Sequence, residues 1–279
     1  MLKRVSLIAL LVLIGTVLPG LVLIPAQYLG VDPSELQGSG FKLTLANALT
    51  ILVFSGAMIV FVYLVQRYIH RQPFLALGFK RAWAGDLAKG HLIGGLLAGL
   101  PLGGALWMAE DVHISSAIPP ETGGMLLTGY VIFFLFMLTL NSLKEELLFR
   151  SYPLENIGEA STSTWATILI ASVIFSLVHL VLEPFTWTAF ISRFLFGVFT
   201  CQVYLATRSI WPIVGIHNGS NWVYITVSAN WKMGGVLSVT EGPEALAFES
   251  DPIYSIISRT LAVIICAWIM HRRRDPVTE

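Results

Sequence analysis

The chain has 279 residues, 55% of them hydrophobic and only 12% charged, and its mean hydropathy is +0.74. Charged residues make up about a quarter of an ordinary soluble domain, so this composition leaves little sequence for one and marks a polytopic membrane protein. The net charge is zero, which gives no electrostatic case for nucleic acid, and the two cysteines, Cys201 and Cys266, sit in apolar runs where neither a disulfide framework nor a thiolate metal site follows.

A membrane span needs about 20 mostly apolar residues. Eight segments qualify: 5–25, 43–65, 91–109, 125–146, 165–182, 186–206, 210–229 and 253–271. The expected fold class is therefore all-α, a polytopic membrane helical bundle of about eight transmembrane helices, in one integral membrane domain over 1–279. The first segment follows a basic start, Lys3-Arg4, but no Ala-x-Ala pattern closes it, so a retained helix is expected rather than a cleaved signal peptide. The long connection 66–90 carries Phe74, Leu75, Leu77, Phe79 and Trp83 among basic residues and reads as an amphipathic interfacial stretch. In the third segment Gly95, Gly99 and Gly103 recur every four residues, a pattern for close helix packing. The segments 165–182 and 210–229 are the most polar, and they carry the histidines of interest.

Cationic loop residues orient the chain. Arg67, Arg71, Lys80, Arg81 and Lys89 fall on one side with Lys3, Arg4 and the terminal Arg272–Arg274. The other side keeps Lys42 and Lys232 among many acids. Both termini are then cytoplasmic, as an even number of spans requires. The expected location is a multi-pass integral membrane protein, in the plasma (inner) membrane if the source is bacterial. Arg193 and Arg259 are left inside spans, where each needs a partner or a route to the interface.

Three polar constellations interrupt the apolar text. The fourth span ends Asn141-Ser142-Leu143-Lys144-Glu145-Glu146-Leu147-Leu148-Phe149-Arg150. An acid at the centre of a span costs roughly 2.5–3.5 kcal/mol, so two adjacent ones need partners or a purpose. Glu146 and Arg150 are four apart and share a helix face, while Glu145 points about 100° away. One acid can thus be neutralised while the other stays available. Phe175 and His179 are four apart on the next span. His217 and Asn221 are four apart on a third and offer two donors at nearby points, which a developing oxyanion, a metal site or a structural network could each use.

These motifs, Glu145-Glu146-x-x-x-Arg150, Phe175-x-x-x-His179 and His217-x-x-x-Asn221, resemble in kind and order those of the CPBP family of intramembrane proteases, also called the Abi family. That CAAX-protease and bacteriocin-processing family is related to the eukaryotic endopeptidases that trim prenylated CAAX proteins. The resemblance covers residues 125–229, the expected catalytic core. It implies an endopeptidase in which Glu145 and His179 activate water, His217 and Asn221 form the oxyanion hole, and Glu146, Arg150 and Phe175 support the site. It implies a peptide or protein substrate entering from the membrane, with the bilayer as the other partner. Zinc held by Glu145, His179 and His217 is an alternative cofactor arrangement, although no HExxH is present. Ser151 departs from the glycine common after the arginine.

Other readings are a non-catalytic family member serving as scaffold or immunity factor, and a proton-coupled transporter using the acids and histidines as a relay. One conflict concerns depth. If the fifth span starts near Trp165, His179 lies about 21 Å along it, whereas Glu145 is near the end of span four. The two meet only if span four runs on past Arg150 to about Pro153 and residues 160–164 lengthen span five.

Overall fold

The computed structural model describes residues 2–17, 21, 23–28, 30, 45–108, 113–116, 124–158, 163–179, 185–227, 237–240 and 253–272. The helices are α1 (Leu2–Val17), α2 (Leu23–Tyr28), α3 (Leu45–Leu64), α4 (Trp83–Met108), α5 (Gly124–Glu146), α6 (Tyr152–Gly158), α7 (Thr164–His179), α8 (Trp187–Thr207), α9 (Ile210–Val227) and α10 (Ile253–Arg272). Each of the eight apolar segments is represented by helix. The first is divided into α1 and α2, and the third begins earlier than expected, at Trp83.

By length and composition, two helical stretches among the described residues can cross a membrane, Leu49–Ile69 and Trp187–Thr207, and shorter apolar helices cover Ser6–Val17, Thr164–His179 and Ser255–His271. Large apolar side chains lie outward on several helices. Leu100 is 70% and Trp107 88% exposed on α4, and Ile257, Leu261, Ile264 and Trp268 are exposed on α10. Soluble monomers seldom present apolar surface on this scale.

The described residues are overwhelmingly helical, as expected, with one small addition. His113–Ser116 (β1) pairs antiparallel with Leu237–Thr240 (β2), in the register His113 to Thr240 and Ser116 to Leu237. These short strands belong to two connections distant in sequence, so no local pattern announces them. A second set of connections meets at the other end of the helices. His70 Nε2 and the Tyr152 hydroxyl are 2.8 Å apart. Asn156 donates to Gln66 at 2.9 Å, and Lys80 donates to the Thr207 carbonyl at 2.5 Å. Arg208, in left-handed backbone at the end of α8 (φ 51°), pairs with Glu155 at 3.0 Å.

The connection 66–90 is only partly at the surface. Leu75 and Trp83 are exposed, but Leu77 is fully buried in the main core. Gly78 turns the chain there at φ +90°, and a Cβ on it would meet the Tyr204 ring at 2.9 Å. Its carbonyl accepts from the Ile210 amide at 3.0 Å, which ties this connection to the start of α9.

The closest helix pair is α4 with α9, and its glycines are not the expected ones. A Cβ on Gly90 would fall 2.2 Å from the Pro212 carbonyl oxygen, and one on Gly94 2.0 Å from that of Ile216. From the facing helix, a Cβ on Gly215 would fall 2.3 Å from the Leu87 oxygen, and one on Gly219 2.1 Å from that of His91. Here backbone packs on backbone, which only glycine permits. Gly95 and Gly99 meet only Val223, at 3.9 and 4.0 Å, and Gly103 meets nothing within 4 Å. The period of four was right for α4, but the packed stripe is one position earlier.

Candidate active site

The helix that carries the two acids does not stop at them. After Glu146 it continues through a π-turn, Leu147–Ser151, into α6. Pro153 has no N–H, so the usual partner of the Phe149 carbonyl is missing. The Tyr152 amide bonds instead to the Leu147 carbonyl, five residues back, and the wider turn carries the chain past the proline. From Glu145 to the end of α6 at Gly158 is then about 20 Å of helix, and from the start of α7 at Thr164 to His179 about 22 Å. The depth conflict resolves in this way. Glu145 and His179 are brought to one cluster: His217 Nε2 lies 3.8 Å from Glu145 Oε2, and the Phe175 ring packs against both His217 and His179.

Glu146 and Arg150 form the sealed half of the site. Both side chains have no exposed surface, and Arg150 Nε lies 3.4 Å from Glu146 Oε2. Nε also donates to the Thr200 hydroxyl on α8 at 3.0 Å. The rest of the guanidinium finds no hydrogen-bond acceptor among the described residues. It lies instead over the Phe175 ring, 3.7 Å from its centroid, where the ring face attracts the cation. Phe175 is thus a platform for Arg150.

His217 joins the two acids. Its Nδ1 is 2.7 Å from Glu146 Oε1, and its Nε2 faces Glu145 Oε2 at 3.8 Å. A carboxylate only accepts, so Nδ1 carries the proton toward Glu146, and Nε2 can donate only as imidazolium. Phe196 packs edge-on against the imidazole at 5.3 Å, and Phe175 at 6.4 Å. α9 can deliver His217 here because its opposite face, Gly215 and Gly219, lies flat on α4. On the next turn face, Asn218 donates to Thr139 of α5 at 2.6 Å, fixing the rotation of α9.

Glu145 is the accessible half, with 15% of its side chain exposed against none for Glu146. Asn141, one turn earlier, donates to its Oε1 at 3.0 Å, and Lys144 lies 3.9 Å from the same oxygen. Opposite, His179 Nδ1 is 2.8 Å from the Phe175 carbonyl. A carbonyl also only accepts, so Nδ1–H donates and Nε2 keeps its lone pair. The ring stacks edge-on against Phe175 at 4.5 Å.

Six of the seven expected residues therefore converge: Glu145, Glu146, Arg150, Phe175, His179 and His217. Asn221 stands one turn beyond His217 and has no described polar contact with the others. Three further residues hold the site. Asn141 had a readable signal, four positions before Glu145. The run from Phe196-Gly197 through Tyr204 shares in the family resemblance, but no spacing assigns Phe196 or Thr200 to the site, because only the packing of α8 against α7 brings them in. Gly197 permits that packing, since a Cβ there would be 2.9 Å from Ser172.

The zinc arrangement finds no support in the placement of these side chains. Among the described residues no three His, Cys, Asp or Glu are grouped to hold a metal ion.

Residues 127–223 match the family described as Rce1-like, type II CAAX prenyl endopeptidase. The motif region is Rce1-like. The match covers about a third of the 279 residues, contains all three motifs, and agrees with the CPBP resemblance. A protease family implies a peptide or protein substrate. The Rce1-like region excludes α4, which clamps α9, and α10, which packs on α8 and α4. No curated protein and no solved structure matches the chain.

Proposed function

We propose that this protein is a multi-pass intramembrane endopeptidase of the CAAX type, with its site between α5, α7 and α9. The observation that carries the reading is the arrangement around Glu145. A partly accessible carboxylate lies 3.8 Å from His217 Nε2, in a cluster that Phe175 links to His179, whose Nε2 is left as an acceptor, while its neighbour Glu146 is sealed against Arg150 and His217. Glu145 takes a proton from the attacking water while His179 Nε2 accepts its other hydrogen. The resulting hydroxide adds to the scissile carbonyl carbon. His217, as the imidazolium paired with Glu146, donates from Nε2, and the Asn221 amide donates beside it, to the oxyanion as it forms. The proton on Glu145 then passes to the amide nitrogen, the C–N bond breaks, and a carboxylic acid and an amine leave. Glu146 and Arg150 position His217 and do not touch the substrate.

The eight-span topology with both termini cytoplasmic supplies the setting. It accounts for the two polar ends of the molecule: 66–90, 151–158 and 207–209 gather on one side, and β1 and β2 pair on the other. The test compares membrane-peptide proteomes of cells carrying wild type or Glu145→Gln, alongside cleavage of a prenylated CAAX-type peptide by the purified proteins. Products that disappear in Glu145→Gln, with the protein still inserted, are expected. The same products from both proteins would reject the reading.

A further inference from the structure

Lys144 is a buried cation that the mechanism above leaves without a role. Only 8% of the residue is exposed. Among the described residues its ammonium makes two contacts. Nζ lies 3.9 Å from Glu145 Oε1, and it stands over the Phe54 ring of α3, 4.6 Å from the centroid. A lysine within a span ordinarily runs its stem out to an interface. Here the polar end of the molecule begins near Ser151, about 10 Å further along the helix, and helical side chains lean the other way, toward the N-terminus. The charge therefore stays inside, against Phe54 and the one accessible carboxylate. α3, which supplies Phe54, lies outside the Rce1-like region.

The two oxygens of Glu145 have different neighbours. Oε1 accepts from the Asn141 amide at 3.0 Å and has the ammonium 3.9 Å away. Oε2 faces His217 Nε2 at 3.8 Å. That gap is wider than the hydrogen-bond range of about 2.7–3.2 Å, and the chemistry needs it open. A closed bond would tie the donor meant for the oxyanion to the oxygen meant for the water. Once His217 is an imidazolium its charge draws the carboxylate across the gap, with a pull much stronger in a poorly hydrated site than in water. The last torsion of a glutamate is broad and does not resist. The Asn141 amide is neutral, so the opposing charge at Oε1 is that of Lys144.

We propose that Lys144 is a positioning residue: its ammonium, seated on Phe54, holds the Glu145 carboxylate by Oε1 and keeps Oε2 from closing onto His217. The water then meets a free Oε2, and the oxyanion meets a free His217 Nε2–H. This role deepens the endopeptidase reading and rests on it.

Two independent measurements on full-length protein in neutral-lipid nanodiscs test the role. The first is steady-state cleavage of a prenylated CAAX-type peptide. Lys144→Met is expected to lower kcat about tenfold to a hundredfold, as a small misplacement of a reacting group does, with KM and melting temperature near those of wild type. Lys144→Arg, which keeps the charge, recovers most of the rate. Lys144→Gln serves the same comparison if the methionine variant does not fold. An unchanged kcat overturns the proposal, as does an arginine variant as slow as Lys144→Met. A rise in KM alone puts the lysine on the substrate and also overturns it, and so does a fall in melting temperature that matches the loss of rate. The second is the imidazole N–H spectrum of protein labelled with nitrogen-15 histidine. At a pH where His217 is protonated, Lys144→Met is expected to show a downfield Nε2–H signal that wild type lacks and that the Lys144→Met, Glu145→Gln double variant loses again. The same spectrum from wild type and Lys144→Met overturns the proposal. This signal does not depend on turnover. Its appearance in a protein that cleaves nothing rejects the endopeptidase reading and leaves the hold on Glu145 standing, whereas wild-type cleavage with an indifferent Lys144→Met does the reverse.

Discussion

Glu145 and Glu146 are adjacent, yet their surroundings differ in every respect that matters for chemistry. Glu146 is fully buried, with one oxygen on His217 at 2.7 Å and the other on Arg150 at 3.4 Å. Glu145 is partly open, and its partners are a neutral amide, a lysine at 3.9 Å and the far nitrogen of His217 at 3.8 Å. The 100° turn between neighbouring helical residues separates the two environments. One charge is enclosed by partners and the other is left with an open side, which is the difference the proposed mechanism uses.

The sharpest way to break this comparison is at the open half. Glu145→Gln is expected to lower the cleavage rate by about 10²–10⁴-fold, the range for a positioned acid–base group. The melting temperature of the purified protein should stay near that of wild type. A drop in melting temperature matching the loss of rate would make Glu145 structural, and the distinction between the halves would fall.

At the sealed half, Arg150→Gln leaves Glu146 buried beside His217 alone. Breaking a buried pair from one side costs about 3–5 kcal/mol. The expected result is a large fall in thermal stability in detergent, with activity lost because the protein is lost. A stable but inactive Arg150→Gln protein would instead make Arg150 part of the chemistry.

A smaller effect tests the support behind His217. Gly94→Val forces a side chain into the Ile216 backbone, an overpacking that costs about 1–3 kcal/mol. It should lower both the melting temperature and the rate through displacement of α9. Gly103→Ala on the same helix has open space and should be neutral or slightly stabilising. Equal behaviour of the two variants in thermal melts would show that α4 does not hold α9 in place.

The smallest effect is expected at Asn141. Its amide holds Glu145 at 3.0 Å, and Asn141→Ala should slow cleavage about tenfold, near the lower end of what a hydrogen bond to a charged group contributes. Stability should be unchanged, because Glu145 keeps solvent access. Steady-state kinetics beside a thermal melt separates this from a folding defect. No change in rate would show that Glu145 needs no orienting partner.

Much of this was legible before any coordinates. Apolar runs long enough for helices, broken by acids and histidines at four-residue spacings, fix which residues share a face, because the helix period is a local property of the backbone. Glu146 with Arg150 and Phe175 with His179 follow from that period alone. The two-stranded pairing of His113–Ser116 with Leu237–Thr240 does not, because its partners are more than a hundred residues apart in sequence. Nor does the choice of Gly90 and Gly94 over Gly95, Gly99 and Gly103. Several glycines satisfy the same spacing, and only the rotation of α4 against α9 selects among them. The convergence of Glu145 and His179 depended on a π-turn that carries helix past Pro153, and the places of Thr200, Phe196 and Phe54 depended on how α8 and α3 dock. The sequence by itself determined the helices and which residues line each face, since spacing along one helix is set by hydrogen bonds four residues long. Which faces meet, and which acid is sealed while the other stays open, was decided by the tertiary structure, because contacts between helices depend on rotation and depth that no single helix encodes.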